Sequence, residues 1–187
     1  MTPFEYLSVL ISIVLGLGLT QLLANVHKLV QARARVQLYW LSILWAILIF
    51  IAQVEWWWAN FSLRGPESNF FYFLFVLLSP VALYLISASV LPSIEPGVSY
   101  DLRVHYYGTR RWFFGVLALQ LIFDAVRRGM QAGSFTDFGA LSNALSAVVL
   151  GVLAITEKQW YHVTITLAVT ALFLFFVASQ ALELLRI

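Results

Sequence analysis

The sequence predicts an all-α fold, a polytopic integral membrane helical bundle of about six transmembrane helices. Long apolar runs follow one another with only short polar breaks, and charged residues make up 11% of the chain, against about 25% in ordinary soluble domains. Several runs reach the ~20 residues that a helix needs to cross ~30 Å of hydrocarbon. The runs are continuous, whereas the strands of a membrane barrel alternate apolar and polar residues. Helices are therefore favoured, since they satisfy their own backbone hydrogen bonds in lipid.

We expect one transmembrane domain spanning residues 1–187. Its predicted helices cover about residues 3–29, 37–60, 69–92, 110–130, 137–156 and 159–185. The first helix begins with a capping pattern, in which Thr2 caps, Pro3 takes the first helical position and Glu5 completes a capping box. No positively charged leader or small-residue cleavage site accompanies this run, so we expect it to be retained as a helix.

Two features interrupt the regular pattern. Pro80 lies inside the third run, where the missing N–H predicts a kink. Residues 93–110 form the longest linker, and they contain one proline, two glycines and several charged residues. We expect a loop there, with a surface helix around Tyr100–Tyr107 as the alternative.

Basic residues predict the orientation. The linkers after helices 1, 3 and 5 carry seven Lys or Arg residues, and the opposite side carries four. The positive-inside rule then places these linkers in the cytoplasm and both termini outside. Arg127 and Arg128 run against this assignment. Small size and short linkers favour a bacterial inner (plasma) membrane.

Two helices carry stripes of small residues, which let helix backbones approach closely in lipid. The stripes are Ser8, Ser12, Gly16 and Thr20 in helix 1, and Ala140, Ala144, Ala147 and Gly151 in helix 5. We predict that these two helices are the central, tightly packed ones. The alternative is that small hydroxyl groups line a narrow wet pathway.

Ionisable residues inside the spans indicate a polar pocket. Such residues cost roughly 2.5–3.5 kcal/mol at the bilayer centre on insertion scales, so each needs a partner or water. Glu55 lies in helix 2 and Asp124 in helix 4, and Arg127 and Arg128 share the face of Asp124 because they follow it at three and four positions. The strictly apolar part of helix 4, residues 112–123, is short for a lipid-exposed span. We therefore expect this face to point into the bundle.

The hypothesis is a pocket open to the outside, built on helices 2 and 4. Glu5 of helix 1 is expected at the same level, and the indole of Trp56 beside Glu55 is suited to a cation over its ring face. The alternative is a structural ion pair, or residues that anchor the helices at the interface.

Other chemistries lack their motifs. The chain has no cysteine, and its three histidines, His27, His105 and His162, show no metal-binding spacing. No phosphate-binding glycine loop, HExxH or GxSxG motif occurs. We expect no cofactor, no metal and no catalytic residues. Without a basic stripe or an RNA-binding motif we also expect no nucleic-acid partner.

The leading function is binding or passage of a small solute or ion through the outward-facing pocket, in a homo-oligomer. Six helices with short loops leave little room for a translocation path within one chain, so a path between copies is favoured. The expected partners are the lipid bilayer and a second copy or another membrane protein. The second hypothesis is a non-catalytic partner or assembly subunit of a larger membrane complex. The third is an intramembrane enzyme that acts on a lipid or quinone.

Overall fold

The computed structural model describes residues 3–61, 70–95 and 97–184, and the surroundings of side chains 8–59, 71–95 and 97–178. This part of the chain contains six α-helices: α1 (Pro3–Gln31), α2 (Trp40–Phe61), α3 (Phe70–Ser89), α4 (Leu102–Ala132), α5 (Phe138–Ile155) and α6 (Gln159–Leu184). The predicted all-α bundle is confirmed. Five of these helices, all except α4, are long and apolar enough to cross a membrane, which indicates a multi-pass membrane protein.

Helix α4 begins eight residues before the predicted start at residue 110. Asp101 provides the cap, because its carboxylate accepts hydrogen bonds from the backbone N–H groups of Arg103 and Val104 at 2.7 and 3.3 Å. The expectation of a loop up to residue 110 is therefore wrong. Much of the alternative surface helix is present, as the first turns of one continuous helix.

A short parallel pairing joins two linkers at one end of the bundle. Strand β1 (Val36–Gln37) pairs with β2 (Tyr100–Asp101), with Val36 opposite Tyr100 and Gln37 opposite Asp101. The pairing ties the start of α2 to the start of α4. Each strand has two residues, too few for a recognisable alternation in the sequence. We call this end of the bundle the strand end.

Helices α2 and α4 form the centre of the apolar core. Trp45 of α2 contacts Phe113 and Phe114 of α4 edge to face, with ring centroids 5.6 and 5.2 Å apart. Ile86 of α3 and Leu153 of α5 are fully buried in the same cluster. Aromatic contacts of this kind add to the free energy of burial.

The small-residue stripe of helix α1 lies mostly at the surface of the described part of the bundle. Ser12 and Thr20 are exposed, Ser8 is half-buried, and a Cβ added to Gly16 meets no atom within 4 Å. The close approach occurs at Gly18 instead, where an added Cβ would lie 2.5 Å from the side-chain oxygen of Gln53. The face of α1 that approaches α2 and α3 most closely is thus the one bearing Gly18, and within the small-residue stripe Ser12 accepts a hydrogen bond from the indole of Trp57 at 3.2 Å.

The small-residue stripe of α5 is partly buried and partly exposed. Ala140 and Ala147 are buried, whereas Ala144 is exposed. Gly151 is half-buried against α4, where an added Cβ would lie 3.9 Å from the Cβ of Ala118. That distance is an ordinary van der Waals contact, so this site accepts one methyl group and little more.

We predict opposite effects for two substitutions at Gly151. Gly151→Ala should raise stability by about 0.5–1 kcal/mol, because a helical glycine loses more backbone entropy on folding. Gly151→Leu should lower stability by about 1–3 kcal/mol, because it forces α5 away from Ala118. Thermal unfolding of the purified protein in detergent measures both, and equal stability of the two variants would contradict the close α4–α5 contact.

Candidate functional site

The carboxylate of Asp124 contacts side chains from three helices. Its Oδ2 accepts a hydrogen bond from the side-chain amide of Gln120 at 2.9 Å. Its Oδ1 accepts from the indole of Trp56 at 3.4 Å, the hydroxyl of Ser79 at 3.4 Å and the guanidinium of Arg127 at 3.3 Å. We call these five residues the Asp124 cluster. It joins α2, α3 and α4 at the end of the bundle opposite the strands.

The Asp124 cluster is largely buried. The side chains of Asp124 and Arg127 are 13% and 7% exposed. The guanidinium of Arg127 also lies 5.9 Å from the ring centroid of Trp56, within the range of a cation–π contact. Two opposite charges removed together from lipid and water compensate each other, whereas either alone would be costly.

The hydrogen bonds to the two carboxylate oxygens differ in length. The donors at Oδ1 lie at 3.3–3.4 Å, longer than the usual 2.7–3.2 Å for N–H···O and 2.5–3.0 Å for O–H···O bonds. Close by, the side-chain oxygen of Gln120 is buried and accepts no hydrogen bond within the described part of the chain. Oδ1 of Asp124 can therefore accept a shorter hydrogen bond than it has, and the side-chain oxygen of Gln120 can accept a first one.

The spacing of polar residues along α4 explains how the Asp124 cluster forms. Gln120, Asp124 and Arg127 are separated by four and three positions, so they lie on one face of the helix. Phe113 and Leu117 continue the same buried face towards the strand end. One side of α4 is therefore turned into the bundle along most of its length.

The structure brings together three of the six residues predicted for the pocket: Trp56, Asp124 and Arg127. Glu55 is half-buried on α2, and Arg128 is exposed, with its guanidinium over Gly139 at the start of α5. The side chain of Glu5 lies outside the described residues. Sequence reasoning missed Ser79 and Gln120, although the spacing of Gln120 from Asp124 is the spacing that made Arg128 a candidate. The carboxylate is enclosed by these neighbours, which differs from the open pocket that we expected.

A second polar cluster, which the sequence did not predict, surrounds His162 near the strand end. The ring of His162 is fully buried, its Nε2 lies 3.1 Å from the carbonyl oxygen of Thr156, and its Nδ1 lies 3.0 Å from the hydroxyl of Tyr106. A carbonyl only accepts, so Nε2 carries the proton and Nδ1 accepts from Tyr106. The rings of Tyr107 and Phe114 complete the enclosure. The arrangement fastens α6 to α4 with a satisfied, neutral imidazole.

Two further groups at this end are held neutral. Burial, followed by the hydrogen bond to Tyr107, raises the pKa of Tyr39 well above its ordinary value. Burial lowers the pKa of His105, and the opposing hydrogen bond to the carbonyl oxygen of Ser89 is the smaller effect. Among the described residues, no group of three or more His, Asp or Glu side chains is placed to hold a metal ion.

An open cleft of about 430 Å³ lies beside the His162 cluster. It is lined by Arg103, Tyr107, Gly108, Arg110, Glu157 and Gln159. The guanidinium of Arg110 donates to the carboxylate of Glu157 and to the backbone carbonyl of Tyr107. We call this feature the arginine cleft.

No protein-family model matches the chain, and neither a curated protein nor a solved structure is detectably similar to it. Function therefore has to be inferred from the geometry of these two ends of the bundle.

We predict that Tyr106→Phe destabilises the protein by about 1–3 kcal/mol, because Nδ1 of His162 then stays buried without a donor. Thermal unfolding in detergent measures the loss. Tyr161→Phe is the matched control, since the ring of Tyr161 is half-buried and its hydroxyl makes no hydrogen bond among the described residues. Equal unfolding temperatures for the two variants would show that the bond to His162 does not stabilise the fold.

Proposed function

We propose that the protein binds or passes a small solute or ion within the membrane, with Asp124 as the charged group of its site. The observation that carries this proposal is the carboxylate of Asp124 and the guanidinium of Arg127, buried together among helices that are otherwise apolar. Ionisable residues at such positions are rare because they are costly, and they commonly mark ion and substrate pathways.

The oxygens of the Asp124 cluster favour a ligand that donates hydrogen bonds or carries positive charge. Oδ1 of Asp124 has only long contacts, and the side-chain oxygen of Gln120 has no donor among the described residues. A proton, a small cation or an ammonium group that approached either oxygen would gain a short bond to it. The ring face of Trp56, which now lies near Arg127, is suited to the same positive charge.

The proposed orientation places the Asp124 cluster towards the outside. Arg103, Arg110 and Arg111 lie in the first turns of α4, near the strand end. Excess basic charge favours the cytoplasmic side, so the opposite end would face outward in a bacterial inner membrane. Two or more copies would supply a continuous path that six helices alone have little room to form.

Asp124→Asn tests the proposal. Fluxes of protons, sodium and methylammonium are measured in liposomes that contain the purified protein. We expect the wild-type protein to pass at least one of these cations. Asp124→Asn should reduce that flux by about tenfold or more, because it removes the charge that stabilises the cation, and a factor of ten corresponds to only about 1.4 kcal/mol.

Asp137→Asn is the matched control at the same end of the bundle. Asp137 caps α5 by accepting from the backbone N–H groups of Gly139 and Ala140, and asparagine caps equally well. Its flux should equal that of the wild-type protein. Equal flux through Asp124→Asn and the control, or no flux of any of the three cations, would contradict the proposal.

A second candidate function, a non-catalytic subunit of a larger membrane complex, is favoured by one observation. The small-residue face of α1 is exposed at Ser12 and Thr20, with open space at Gly16. In lipid, such a face is where another helix can approach closely. A second copy or another membrane protein would then be the partner.

Bulk added to this face distinguishes the second candidate. Gly16→Leu should dissociate the complex in a cross-linking experiment on native membranes, because the added side chain separates the helix backbones. Gly115→Leu is the control, since a Cβ there also meets no atom within 4 Å but lies on α4. If Gly16→Leu leaves the cross-linked species unchanged, α1 is not a contact surface for a partner.

A further inference from the structure

The arginine cleft carries more positive than negative charge. Two of its lining residues, Arg103 and Arg110, are cationic, and one, Glu157, is anionic. The two arginines differ in exposure. Arg110 is held with a side-chain exposure of 10%, whereas Arg103 is exposed. The cleft therefore combines one fixed guanidinium with one that can adjust to a ligand.

The hydrogen bonds in the arginine cleft leave donors available to a ligand. Arg103 donates from one terminal nitrogen to the side-chain oxygen of Gln159 at 2.7 Å, which positions it at the start of α6. A guanidinium has five N–H donors in a planar fork, so most of those of Arg103 remain for another acceptor. The amide of Gln159 offers two more donors to the same space.

The carboxylate of Glu157 is the weak point of the present arrangement. It pairs with Arg110, yet its side chain is 73% exposed. An exposed carboxylate gains little from such a pair, and an anion with more oxygens can replace it at Arg110. Arginine is the residue best matched to phosphate oxygens, because its fork donates two parallel hydrogen bonds.

The surroundings of the arginine cleft match the interface of a membrane. Trp112 of α4 and Trp160 of α6 are 57% and 65% exposed, and tryptophan is enriched at the level of lipid headgroups. Gln159 begins a helix that is apolar enough to cross the bilayer. We therefore expect the cleft to lie at the depth where headgroup phosphates are found.

We propose that the arginine cleft is a phosphate-binding site, in which Arg103, Arg110 and Gln159 hold a phosphate group. The headgroup of an anionic lipid is the source that the position of the cleft favours, and free phosphate in solution is the other source with the same chemistry. The site is independent of the Asp124 cluster, which lies at the opposite end of the bundle.

Binding is measured on the full-length protein in a neutral detergent, by native mass spectrometry with added phosphatidylglycerol, phosphatidylcholine or inorganic phosphate. We expect phosphatidylglycerol to be retained and phosphatidylcholine to be retained less. Competition by millimolar inorganic phosphate would assign the site to soluble phosphate. If neither phosphatidylglycerol nor inorganic phosphate binds, the proposal is wrong.

Three variants that each remove one charge test whether phosphate binding changes in the direction that the site requires. Arg103→Gln should weaken binding by about threefold to tenfold, the range expected for one exposed charged hydrogen bond. Glu157→Gln should strengthen it, because the competing carboxylate loses its charge. Arg111→Gln is the control, since Arg111 is exposed and adjacent in sequence but does not line the cleft. Equal losses from Arg103→Gln and Arg111→Gln would show that lipid is attracted by general charge, and would overturn the proposal.

Gly108→Leu provides a test that does not change charge. Gly108 lines the cleft, and a Cβ added there meets no atom within 4 Å. Leucine should therefore fill the cleft without disturbing the fold, and it should favour the helix, since glycine is a poor helix former. We expect binding to be lost while thermal stability is kept or raised. Unchanged binding in a stable Gly108→Leu protein would contradict a ligand in the cleft.

Discussion

The burial of charge along α4 (Leu102–Ala132) is the constraint on which the rest of the structure depends. Lipid cannot solvate a carboxylate or a guanidinium, so a helix with Asp124 and Arg127 in its apolar surroundings must turn them towards other helices. The pair meets this requirement by contact between its own members and with Trp56 and Ser79. Helices α2 and α3 are thereby fixed against α4 at this end.

The same helix organises the other end by different means. At that end, aromatic residues beside the apolar core make hydrogen bonds. Tyr106 is hydrogen-bonded to His162, and Trp45 of α2 donates to Thr166 of α6. Beyond them lies the exposed ion pair of Arg110 and Glu157. Polar groups are thus enclosed at the end with the Asp124 cluster, whereas at the strand end they line an open cleft. This difference is why we assign a membrane-embedded site to the first and a headgroup-level site to the second.

Much of the fold follows from the sequence because helix length and continuity in lipid leave few alternatives. The pairing of Asp124 with Arg127 also follows, since a spacing of three positions places both side chains on one face. The early start of α4 does not, because the residues after Asp101 are charged and show no apolar periodicity. His162 was missed for the same reason, since its partner Tyr106 lies in that segment. Nor does the sequence distinguish Gly16 from Gly18, because only the position of Gln53 on α2 shows which glycine is approached.

The prediction from the sequence that α4 crosses the membrane despite its charges can be tested most directly by labelling its two flanks. Helix α4 has 31 residues, a length of about 45 Å at ~1.5 Å per residue, against a hydrocarbon thickness of ~30 Å. The chain contains no cysteine, so Ser99→Cys and Ser134→Cys each introduce a single thiol at an exposed position beside one end of the helix. A membrane-impermeant maleimide should label the two variants from opposite sides of sealed vesicles. Labelling of both from the same side would show that α4 does not span, and would contradict the arrangement of charge on which this account depends.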